Sequence, residues 1–98
     1  MKSVPLAPST ENFFTLQSLP FSEAGVIRLE EGKATSDSPE CHADKNQTLL
    51  LIEGELVVEV ENAGQKIHAG ATLTVPAGVK HRFINCGWIA ALAFTVMV

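Results

Sequence analysis

Turn residues break this chain into short apolar runs, and no stretch of it keeps a helical period. Runs at residues 13–16, 26–29, 47–52, 55–61, 65–68, 72–75, 81–85 and 89–98 are separated by Gly, Pro, Asn and acidic residues. Leu56, Val58 and Val60 alternate with Glu55, Val57, Glu59 and Glu61. A period of two places one face of a strand in a core and the other in water. The sequence Glu53-Gly54 between two such runs predicts a tight hairpin. Seven to nine strands with turns about every 8–12 residues predict a sandwich or barrel. A closed barrel without free edges suits so apolar a set. Residues 1–12, rich in proline, form an irregular lead-in, and residues 13–98 a single all-β domain. At 98 residues and 46% hydrophobic content, the chain can bury roughly 65% of its unfolded surface in one core.

One segment is more specific than this pattern. Residues 70–85 carry Gly70, Pro76, Gly78, His81 and Asn85. Gly70 supplies the positive φ of a turn. Pro76 stops one strand and Gly78 lets the backbone reverse. His81 opens the next strand, and Asn85 is suited to anchor the following turn through side-chain bonds to the backbone. The spacing resembles the second motif of the cupin family, G(X)5PXG(X)2H(X)3N, at every fixed position. The resemblance implies a cupin-type double-stranded β-helix, or jelly-roll barrel, with His81 pointing inward.

The first cupin motif, G(X)5HXH(X)3-4E(X)6G, is degenerate. Anchored on Gly54, it places Gln47 where the family has Glu, His42 at the second histidine and Glu40 at the first. The leading glycine falls at Ala34, with Gly32 nearby. By resemblance, the metal ligands are Glu40, His42, Gln47 and His81. Glu40 and His42 are two apart, so on a strand both face inward. Imidazole and carboxylate suit a divalent iron, manganese, nickel or zinc ion, and two histidines with a carboxylate suit a facial triad. Gln47 is an optional amide-oxygen ligand or an orienting group. His42 with Asp44 is an alternative pair. The exchanges at positions 40 and 47 equally fit a pocket that holds no metal.

The remaining residues carry plainer expectations. His68 reads as a surface histidine, Cys41 as pointing away from the pocket, and Cys86 as a buried turn residue. Trp88 and the phenylalanines read as core, with Phe83 sharing the inward face of His81. Lys80 and Arg82 point outward, and Glu53, Glu55, Glu59 and Glu61 form a solvated face. The seven Lys and Arg are scattered and the net charge is −4, so nucleic acid is not an expected partner. No phosphate loop, GxSxG or CxxC occurs, and no organic cofactor is expected. The N-terminus lacks an apolar leader, and the ten apolar residues at 89–98 fall short of the ~20 of a membrane helix. With two cysteines and no pairing motif, a cytoplasmic location is expected.

Residues 89–98 are apolar on both faces, so a second surface should cover the outer one. Similar small cupins imply a homodimer here. The leading expectation is a stand-alone cupin binding a divalent metal and a small-molecule ligand. If it is an enzyme, the family implies metal-assisted oxygenation, isomerisation or lyase chemistry. The alternative is a non-catalytic, metal-free ligand-binding or regulatory dimer module.

Overall fold

The computed structural model describes residues 13–61 and 63–98. The expected lead-in, residues 1–12, lies outside them. Eight strands follow one another: β1 (Phe13–Leu19), β2 (Ser22–Leu29), β3 (Gln47–Glu53), β4 (Glu55–Val60), β5 (Ala63–His68), β6 (Thr72–Val75), β7 (His81–Ile84) and β8 (Ala91–Met97). They form a five-stranded sheet, β1-β2-β8-β3-β6, and a three-stranded sheet, β5-β4-β7. Every ladder is antiparallel. The fold is the all-β cupin double-stranded β-helix that the motif implied. No helix among the described residues is long and apolar enough to cross a membrane.

The barrel is flattened rather than edge-free. Its wall is two facing sheets, and β5 and β6 each pair with one strand only. Glu53-Gly54 is also not a hairpin. β3 pairs with β6 and β8, whereas β4 pairs with β5 and β7, so the chain crosses between the sheets here. Gly54 has a φ of 85°. A Cβ at this position would lie 3.0 Å from Ala91 Cα and 3.1 Å from the Ala90 carbonyl oxygen. The corner therefore needs glycine for its backbone angle and for the close passage of β8. Alternation along two runs gives their faces but not whether they pair with each other.

Between the sheets, one residue in two is buried. Ile27 and Leu29 of β2, Ala91 and Ala93 of β8, and Leu49 and Leu51 of β3 meet Leu56, Val58 and Phe83 from the other sheet. Burying each large side chain contributes about 1.5–3 kcal/mol. The small Ala91 and Ala93 sit mid-sheet, opposite Leu29 and Ile27. Their size leaves room for the larger neighbours to interdigitate.

Asn85 closes this end as expected. Its buried amide nitrogen donates to Leu29 O at 2.9 Å and to Ile89 O at 2.8 Å, and its oxygen accepts from Gly87 N at 2.9 Å. Beyond it the expectations fail. Trp88 is 91% exposed, Phe21 is 85% exposed, and Cys86 is on the surface. Residues 88–90 precede β8 as a bulging connection rather than forming its start. Asn85 holds the base of that connection and turns its apolar tip outward.

On the outer face of the smaller sheet the acidic run is partly paired. Glu59 takes Arg82 at 3.2 Å, and Glu55 takes Lys66 at 3.2 Å. Arg82 also donates to Asp37 O at 2.7 Å, pinning the polar loop that leads to Glu40.

Candidate functional site

A cavity of about 620 Å³ opens at the end of the barrel away from Asn85. Pro76 ends β6 and Gly78, with a φ of 80°, reverses the chain. His81 then enters β7 opposite Val60. On its other side His81 forms a bridge with Glu40, through Glu40 N to His81 O at 2.9 Å and His81 N to Glu40 O at 2.8 Å. Gly78 N donates to His42 O at 2.8 Å. These backbone bonds attach residues 40–42 to the mouth of the cavity.

Glu40, His42, Gln47 and His81 all line it. Their settings differ. Gln47 and His81 are buried, whereas Glu40 and His42 are exposed. Residues 40–42 do not form a regular strand; only Glu40 makes a bridge. Strand parity therefore does not apply to them, and Cys41 lines the cavity rather than facing away. Asp44 also lines it.

The buried pair is held by a directed relay. Thr95 Oγ1 donates its single proton to Thr48 O at 3.0 Å, so it accepts from Gln47 Nε2 at 2.9 Å. That fixes the amide with Oε1 towards His81 Nε2, 2.8 Å away. His81 Nδ1 lies 2.9 Å from Val79 O. Both ring nitrogens thus face carbonyl oxygens, which only accept. Neither directs a lone pair into the open cavity. The ring is also packed between His42, at a centroid distance of 5.5 Å and 54°, and the edge of Phe83, at 5.5 Å and 69°. Phe83 shares the inward face of His81, as the spacing predicted.

This arrangement does not fit the metal that the family resemblance implies. A metal-binding imidazole points a free lone pair at the ion, and both ring nitrogens of His81 point at the carbonyl oxygens of Gln47 and Val79. The Gln47 amide is itself committed to Thr95. Among the described residues, no group of three or more His, Cys, Asp or Glu side chains is placed to hold a metal ion.

Three residues at the site were not singled out from the sequence: Thr95 behind the wall, and Glu23 and Phe13 lining the cavity. Thr95 orients Gln47 across 48 positions of chain. Glu23 and Phe13 come from β2 and β1. Their inward parity is set by the register of β1 on β2 and of β2 on β8, which has no local sequence signal.

Comparison with known proteins places this geometry. A family model described as a cupin domain matches residues 25–97. No curated protein matches the chain in sequence. Among solved structures, the cupin domain of Cnp3 from Schizosaccharomyces pombe is similar at a TM-score of 0.80 and 18% identity, covering 88% of this chain and 59% of that one. A Thermus thermophilus protein reaches a TM-score of 0.80 at 23% identity, covering 95% and 90%. A sugar phosphate isomerase of the cupin superfamily from Silicibacter pomeroyi reaches 0.75 at 22%, covering 89% and 59%. The chain thus spans less than two thirds of the first and third of these proteins, and at such identities the likeness is one of fold.

Proposed function

The chain belongs to the cupin domain family, and from that premise we propose that its barrel is a metal-free module that takes a small organic molecule into the cavity beside His81. The observation that carries this reading is the relay from Thr48 O through Thr95 and Gln47 to His81. It turns the Gln47 amide and both His81 ring nitrogens along the inner wall and leaves a formed space in front of them. A preformed concavity is the common form of a small-molecule site, and Phe13, Ile27, Phe83 and Met97 give this one an apolar part beside its polar groups. The isomerase activity named for the Silicibacter pomeroyi protein belongs to that protein, and no reaction is carried over from it.

Elemental analysis is the test. The purified chain is incubated with iron, manganese, nickel and zinc in turn, then desalted. The expected result is well under one metal per chain, unchanged by His81→Ala. A stoichiometric metal that disappears in His81→Ala overturns the reading, because Gln47 must then have turned away from His81.

The same proposal includes a homodimer. On the outer face of the five-stranded sheet, Leu50 is 40% exposed beside its ladder partner Phe94, and Ile52 is 36% exposed. A second copy of this face would cover them. Sedimentation of the full chain should give twice the monomer mass, and Leu50→Lys should return it to monomer.

A further inference from the structure

We propose that residues 41–45 form a strap that swings between two fixed clasps to admit a ligand to the cavity; its gating role rests on the reading of the barrel as a small-molecule pocket. Cys41, His42, Ala43, Asp44 and Lys45 follow one another in the chain, and all five line the cavity. A strand would turn every second one away. Cys41, His42, Ala43 and Asp44 are also exposed, so on this side a single run of chain separates the cavity from water.

The ends of this run are held and its middle is not. At one end Glu40 and His81 exchange both backbone bonds, at 2.9 and 2.8 Å. At the other end Asn46 is tied three times. It exchanges backbone bonds with Val98, both at 2.9 Å, and its Oδ1 accepts from Ala77 N at 2.9 Å. Between these clasps, among the described residues, one backbone-to-backbone bond holds the strap, from Gly78 N to His42 O at 2.8 Å. One ring contact backs it: His42 leans on His81 at a centroid distance of 5.5 Å. A segment with few buried contacts and few backbone bonds opens more readily than the sheets around it. Breaking the Gly78 latch releases the five residues together, because both ends stay fixed. His42 then leaves the face of His81, and the way to His81 and Phe83 widens. The Pro76–Gly78 turn is the post for latch and clasp alike: its successive amides, Ala77 N and Gly78 N, hold Asn46 and His42. Asn46 is therefore a positioning residue, which sets where the strap returns when it closes.

The test is NMR relaxation dispersion on the isotope-labelled full chain, with benzyl alcohol as the probe. The amides of residues 41–45 and of Gly78 should exchange at one shared rate on the microsecond-to-millisecond scale, while those of Glu40 and Leu49 stay flat. Asn46→Ala should raise the open population about threefold or more, as the loss of one hydrogen bond allows, and Asn46→Asp, which keeps the acceptor, should restore it. Benzyl alcohol should shift the amides of Ile27 and Phe83, and its dissociation rate should rise with the open population. Flat dispersion throughout residues 41–45, or exchange that leaves out Gly78, overturns the strap and leaves the pocket reading standing. A dissociation rate unchanged in Asn46→Ala while the open population rises overturns the gating role. Shifts at neither Ile27 nor Phe83 overturn the pocket reading and the gating role with it. If Asn46→Ala fails to fold, the shared rate of the strap and Gly78 in the unmodified chain decides the matter.

Discussion

The two ends of this barrel are made from the same strands and behave as opposites. At one end the row Leu29, Ala91 and the neighbouring Leu51 and Leu56 is packed shut, and Asn85 ties the connection beneath it. At the other end the row Glu23, Met97, Gln47 borders an open cavity, with His81 and Phe83 behind it. The β2–β8 ladder runs without a break from one end to the other, and β3 follows β8 to a register shift between Leu51 and Glu53. The difference lies in which side chains point inward. Apolar chains of complementary size fill the space, while polar chains that bond each other along a wall leave a gap beside it. Close packing and open space are thereby separated along one axis.

The sharpest way to break this contrast is at the closed end. Leu51→Ala should lower unfolding free energy by about 2–5 kcal/mol, the range for deleting a buried leucine, read by urea denaturation. An equal loss from His42→Ala would erase the distinction between the ends. Next, Asn85→Ala should cost about 2–3 kcal/mol, because Gly87 N, Leu29 O and Ile89 O lose a common partner. Its amide exchange should rise first in residues 85–91.

A smaller effect is expected at the polar wall. Thr95→Val keeps the volume but removes the acceptor for Gln47 Nε2, with a cost of about 1–2 kcal/mol. With the amide no longer held, the His81 ring resonances should shift in the NMR spectrum while those of Leu29 stay in place. A spectrum unchanged around His81 would mean that Thr95 does not orient Gln47. The smallest effect belongs to the exposed positions. His42→Ala and Trp88→Ser should each change stability by less than about 0.5 kcal/mol, and His42→Ala should alter probe binding at the cavity.

Much of the barrel was legible in the chain. The five motif positions from Gly70 to Asn85 located the turn at Pro76–Gly78, the entry of His81 into β7 and the anchoring role of Asn85. All of these depend on backbone angles and contacts within a few residues, which residue types report directly. Trp88 misled because hydrophobicity alone does not say whether a short connection bends in or out. Cys41 misled because parity was applied to a segment that is not a strand.

What the sequence by itself determined is the set of elements: which runs are strands, which face of each is apolar, and where the chain must turn. Only the tertiary structure decided how the strands meet. Gly54 sends β4 to the other sheet, because the space beside it is taken by β8. The registers of β2 and β3 on β8 bring Glu23, Met97 and Gln47 around one cavity from positions far apart in the chain. Register is a property of long-range packing: a shift of one residue would reverse every inward side chain. So His81 could be placed from its neighbours in sequence, but the amide that holds it could not.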